Sequence, residues 1–124
     1  MAIVHSLVTR NGIADYVASQ INGAAASTLE FQTSADVEVA TLIFSLTAFG
    51  AAASGVITAN AITSDTTGTA GTIAKARIKK STLAEVLNCS VTATGGGGDI
   101  QLSSVVISTG QTVAVSSLTY TAPV

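Results

Sequence analysis

Residues 74–79 read Ala-Lys-Ala-Arg-Ile-Lys, and residues 85–94 read Glu-Val-Leu-Asn-Cys-Ser-Val-Thr-Ala-Thr. In the first stretch Ala74, Ala76 and Ile78 alternate with Lys75, Arg77 and Lys79. A period of two places one set on each face of a strand, apolar inward and basic outward. In the second, Leu87, Cys89 and Val91 point one way and Asn88, Ser90 and Thr92 the other. Similar short alternations recur on both sides of this pair. They predict strands at 28–33 and 37–46, joined through the turn-prone Ser34-Ala35-Asp36, then at 56–63, 100–107 and 112–120. In 37–46 both faces become apolar towards Phe44, which predicts burial on both sides at that end. In 112–120 the pairs Val113/Val115 and Leu118/Tyr120 are out of phase, which predicts a bulge near Ser116-Ser117. Residues 48–55, 64–71 and 108–111 read as loops, Gly95–Gly98 with Asp99 as a flexible one, and Pro123 as the end of pairing. About seven short strands at regular turn spacing predict a mostly β protein, an antiparallel β-sandwich or jelly roll.

The N-terminal segment has another period. Within 11–23, Ile13, Tyr16, Val17 and Ile21 recur at i, i+3, i+4 and i+8, the apolar face of a short helix. Asn11 suits its cap, Asp15 its positive end and Gly23 its stop. A helix this short needs a surface to pack on, either one end of the β-structure or a neighbouring subunit. The expected organisation is an N-terminal arm with a short helix at 1–26, a connector at 23–27, and a β-sandwich domain at 27–124. The arm is expected to serve assembly more than folding.

Composition narrows the function. The chain has 124 residues, 48% hydrophobic and 4% aromatic, so its core is filled by Val, Ile, Leu and Ala. Charged residues are 10%, against roughly 25% in a typical domain. So neutral a surface suits a protein covered in an assembly, although a Ser/Thr-rich surface also solubilises a free chain. A net charge of −2 gives no overall field for nucleic acid. Residues 1–8 have no basic start and a short, interrupted apolar run, so no secretory signal is expected. Residues 39–64 carry no charge and are long enough to span a bilayer, but Gly, Ser, Thr and Asn interrupt them; two strands and a loop are expected, with no membrane partner.

Catalytic and metal chemistry find little support. The single Cys89 excludes an internal disulfide and reads as a buried, unreactive residue. The single His5 reads as a surface or packing residue with no second histidine for a metal. Gly95–Gly98 lack the Lys-Ser/Thr and the helix that a phosphate loop requires. Asp65 and Asp99 lie outside any calcium-loop spacing, and Glu30, Asp36 and Glu38 lack the aromatics of a sugar-cleaving pair. Asn88-Cys89-Ser90 is a glycosylation sequon on an expected strand. No enzymatic activity and no cofactor are expected.

One cluster rises above this background. Lys75, Arg77, Lys79 and Lys80 hold four of the five positive charges. The row is either a docking face for an acidic partner or lysine protection of an edge strand, and the second is the simpler use. With no interleaved aromatics, single-stranded nucleic acid is not an expected partner. The candidate contact residues are therefore Lys75, Arg77, Lys79 and Lys80, with Ile13, Tyr16 and Val17 of the helix.

The layout of RNGIADYVASQINGA, TLEFQTSADVEVATLIF, AFGAAASGVITANAITSDTTGTAGTIAKARI and LNCSVTATGGGGDIQLSSVVISTGQTVAVSSLTYTAP resembles the small structural virion proteins of tailed bacteriophages. The resemblance covers most of the chain and rests on layout and composition. It implies a virion location and a non-enzymatic structural role. Within that group it points to capsid decoration (cement) proteins, homo-oligomers that bind the major capsid protein or other virion proteins and stabilise the shell. A tail, neck or fibre component is the alternative, and a carbohydrate or cell-surface binding module a more distant one.

Overall fold

The computed structural model describes residues 3–23 and 25–124. One helix, α1 (Leu7–Ile21), precedes ten short strands: β1 (Thr28–Gln32), β2 (Glu38–Phe44), β3 (Val56–Thr58), β4 (Ile62–Thr63), β5 (Gly71–Thr72), β6 (Lys75–Lys79), β7 (Glu85–Ala93), β8 (Ile100–Leu102), β9 (Val106–Ile107) and β10 (Thr119–Thr121). Six strands form a sheet in the order β4-β2-β1-β6-β7-β8, and β10-β3 and β5-β9 form two ribbons. The protein is thus mostly β and sandwich-like, with one short N-terminal helix.

The strongest alternations make the centre of the sheet. Leu29 and Phe31 of β1, Ala40 and Leu42 of β2, and Ala76 and Ile78 of β6 are buried on one face. The antiparallel register sets Leu29 opposite Leu42 and Ile78, and Phe31 opposite Ala40 and Ala76, so large and small side chains meet across strands. Ile57 from β3, Ile107 from β9, and Ala14, Ala18 and Ile21 from α1 join the same core. Both hairpin turns of the sheet carry a residue with positive φ, Asp36 (67°) and Leu83 (68°), and each lies beside a register shift. A left-handed residue with a bulge is the usual way to close a three-residue hairpin loop.

The structure corrects several expectations. The helix begins at Leu7, capped by Ser6, whose hydroxyl accepts from the Thr9 N–H. It buries Ala14, Ala18 and Ile21, while Ile13 and Val17 flank that face half-buried and Tyr16 is exposed. Alanines suit the contact because they let the backbone approach closely. The connector expected at 23–27 includes position 24, outside the described residues. Residues 56–63 split into β3 and β4, which belong to different sheets, and 100–107 splits into β8 and β9. The strand expected at 112–120 pairs only as β10 and through a single bridge from Val113 to Asp65. Two-sided burial on β2 falls at Val39–Ala40, where the Thr69 N–H donates to the Val39 carbonyl, whereas Ile43 beside Phe44 is exposed. Ala74 is exposed and Ile73 takes the core position before β6.

The sheet also departs from pure antiparallel pairing: β7 and β8 run parallel, Val91 beside Ile100 and Ala93 beside Leu102. Residues 94–99 alone make this return, although parallel neighbours usually need a connection of a dozen residues or more. Gly95 and Gly97 have φ of +87° and +80°. Gly96 and Gly98 lie against Thr92 so closely that an added Cβ would come within 2.7 and 2.9 Å of its atoms. The segment read as a flexible loop is therefore a fixed crossover. Its amides donate to the Gln101 Oε1, the Ala93 carbonyl and the Thr92 hydroxyl.

Candidate assembly surfaces

The basic row lies on the outer face of the sheet. β6 sits between β1 and β7, so these residues do not guard an edge. That reading fails because a row of outward cations looks the same on an inner strand whose neighbours carry carboxylates. Here they do. The Lys79 Nζ is 2.8 Å from the Glu30 Oε2, the Arg77 Nη2 is 3.1 Å from the Asp36 Oδ1, and the Arg77 Nε is 3.8 Å from Glu85. Lys75 also donates to Asp36. Three cations thus meet three carboxylates on one face, which removes most of its attraction for an acidic partner. Lys80 turns aside and donates to the Gln20 side chain of α1.

The Lys79–Glu30 pair is the most shielded of these, at 19% and 17% exposure. Burial pushes the Glu30 carboxyl up. The hydrogen bonds from Lys79 and Gln32 and the charges of Lys79 and Arg77 outweigh it, holding the carboxyl below its ordinary value. A carboxylate depressed in the folded state stabilises the fold above its unfolded pKa, and that contribution is lost as pH falls through the folded value. Lys79→Ala should therefore cost about 1–3 kcal/mol at neutral pH, since it leaves a shielded carboxylate uncompensated. The difference from wild type should shrink in acid, below the ordinary Glu range. Urea denaturation of both proteins at neutral and acid pH checks this, and a pH-independent difference would mean that Lys79 acts through packing alone.

The other two acids examined for metal binding act as backbone clamps. The Asp65 carboxylate accepts from the Thr41 N–H at 2.8 Å and the Thr67 N–H at 2.7 Å, which hold its pKa down. Asp99 accepts from the Ser90 N–H and hydroxyl, with the same effect, and so ties the glycine crossover to β7. Among the described residues no group of three or more His, Cys, Asp or Glu could hold a metal ion. Cys89 is half-buried beside a cavity of about 350 Å³ lined by Phe49, Ile78, Leu87, Ile100 and Tyr120. Burial, then the charge of Asp99, pushes its thiol up and away from the reactive thiolate. No helix among the described residues is long and apolar enough to cross a membrane.

The helix is bound to the β-structure by its polar residues. Asn11 is not the cap; its Oδ1 accepts from the Gly55 N–H at 2.7 Å. One turn on, the Asp15 Oδ1 accepts from the Ala52 N–H at 2.7 Å. Asn22 pairs through both amide atoms with the Phe49 backbone, at 3.0 and 3.2 Å. Gly55 is required where it stands: its φ is +76°, and a Cβ there would meet three atoms of the Arg10 guanidinium at 3.0 Å. Sequence reading missed these bonds because each joins positions 27 to 44 residues apart. The signal available was Asn11, Asp15 and Asn22, nearly one turn-multiple apart on a helix whose other charged residue is Arg10.

Two surfaces are left uncovered. At the N-terminus Ile3 is 90% exposed and Val8 82%, with Val4 and Leu7 also exposed. Residues 3–6 carry neither helix nor strand. Of the expected helix contacts, Tyr16 is exposed, while Ile13 and Val17 are half-buried. The second surface is a groove of about 450 Å³ lined by residues 99–104 and 111–119 with Ile107. The chain matches no protein-family model, no curated protein and no solved structure.

Proposed function

We propose that this chain is a structural, non-enzymatic component of a phage virion, a capsid decoration protein that binds the shell as a homo-oligomer. The observation that carries the reading is the uncovered apolar end: Ile3, Val4, Leu7 and Val8 face solvent on a chain whose residues are only 10% charged. Contiguous apolar side chains at a surface mark interaction sites in soluble proteins. A preformed β-frame loses little entropy on docking, and many copies on one lattice add avidity. The resemblance in layout to small phage virion proteins supports a virion location. The outer ion pairs do not oppose this reading, because a face of balanced charge docks without a large field.

Electron microscopy of purified particles carrying a tagged copy tests the reading. Density or label distributed over the shell is the expected result. Label confined to the tail, neck or fibres selects the alternative virion position, and absence from purified particles overturns the virion reading altogether.

A further inference from the structure

β8 is the last strand of the six-stranded sheet, and among the described residues no strand pairs with its outer edge. Every residue from 99 to 104 borders the groove there, and so does every residue from 111 to 119. Side chains of consecutive extended residues point to opposite faces, so a wall made of uninterrupted runs is a wall of backbone edges. Segment 111–119 makes few backbone pairings of its own: the Gln111 N–H donating to Ser108, the exchange between Val113 and Asp65, the Leu118 carbonyl accepting from Ala59, and Thr119 opposite Thr58. The lining includes Ile100, Leu102, Ile107 and Val113, whose side chains are already almost fully buried, so the groove offers mainly backbone and hydroxyl groups. An open strand edge beside a groove is a template for one more strand.

The same molecule carries an exposed segment outside helix and strand. Residues 3–5 precede the helix cap Ser6, which has extended backbone angles (φ −65°, ψ 160°), and Ile3 and Val4 are exposed. Four residues span roughly 13 Å as a strand, which matches β8 and the residue after it. Neither partner opposes the contact by charge, since the arm segment holds no acid and no Lys or Arg and Asp99 is the single charged residue of the groove.

We infer that the groove between β8 and residues 111–119 receives residues 3–6 of a second copy of this chain as an added β-strand. One side chain of each alternating pair, Ile3 or Val4, then turns into the groove and leaves solvent. The backbone of the arm pairs with the open edge of β8, and the helix that follows fixes the spacing between copies. This rests on the assembly reading above and names the first contact of that assembly, chain to chain.

The test uses full-length chains in which Cys89→Ser removes the native thiol. One preparation carries Val4→Cys and the other Ser116→Cys, the second position lying midway along the groove wall. Mixed and oxidised, they should give a covalent pair containing one chain of each kind; no mixed pair overturns the inference. A chain carrying both cysteines that closes internally at high dilution overturns it too, because the arm then fills its own groove. Sedimentation of the wild type should show self-association, and Ile3→Asp with Val4→Asp should weaken it at least about tenfold. Association unchanged by that variant, or a wild type that stays monomeric while binding particles, assigns the contact elsewhere and overturns the inference without touching the virion reading. A mixed pair from a protein absent from particles would have the opposite meaning.

Discussion

Gly96→Ala and Gly98→Ala should each destabilise the protein by about 3 kcal/mol, at the upper end of overpacking costs. Gly95→Ala and Gly97→Ala should cost only about 1–2 kcal/mol. The four glycines look alike in the sequence, but they solve two different problems. A Cβ on Gly96 would come within 2.7 Å of the Thr92 Cβ and Oγ1, and one on Gly98 within 2.9 Å of the Thr92 amide nitrogen. Neither Cβ nor backbone nitrogen can swing away, so relief requires the crossover to lift. Lifting it breaks the bond from the Gly98 N–H to Thr92 and loosens the Asp99 clamp on Ser90. It also peels Ile100 and Leu102 of β8 out of the core. Gly95 and Gly97 have open space around them and are held only by positive φ. Denaturant midpoints of the four single variants check the ordering. Equal costs, or larger ones at 95 and 97, would show that backbone conformation rather than contact with Thr92 limits this loop.

The same contrast explains what was legible in the sequence. β1, β6 and β7 were readable because large apolar residues alternate with charged or amide ones, as at Phe31, Ile78 and Leu87 against Glu30, Lys79 and Asn88. A one-residue slip there would bury a charge, so the local pattern fixes the face. From residue 100 onward the outward positions are Ser, Thr and Ala, which cost little on either side. Alternation alone then cannot say where a strand stops pairing, and 100–107 and 112–120 were read as longer strands than they are. Position within the sheet is not a local property at all. The row of Lys75, Arg77 and Lys79 would look the same at an edge; only its register with Glu30 and the Asp36 turn, some 40 residues earlier, places it inside. The carboxylates that balance the row were visible, yet their proximity followed from the pairing order of β1, β6 and β7.

The helix invites the last and largest expected effect. Its short length and separate period suggested an arm that serves assembly rather than folding, but its contacts divide the segment in two. Ile3 and Val4 are exposed, whereas α1 places Ala14, Ala18 and Ile21 in the common core. Deleting residues 1–26 removes the buried Ile21, worth about 2–5 kcal/mol by the usual cost of large-to-small truncation in a core. It also leaves the amides of Phe49, Ala52 and Gly55 without the acceptors that Asn22, Asp15 and Asn11 supply, at roughly 1 kcal/mol or more each. Together these approach the roughly 5–15 kcal/mol that holds a domain folded. The truncated chain should therefore lose its cooperative thermal transition and expose apolar surface to a hydrophobic dye. Deleting residues 2–5 alone keeps the Ser6 cap and should leave the transition almost unchanged while abolishing self-association. A cooperative transition in the chain of residues 27–124 would restore the helix to the arm and show that the strands close their core without it. Loss of folding on deleting residues 2–5 would show the reverse, that the exposed apolar end is held in the monomer by contacts its own side chains make.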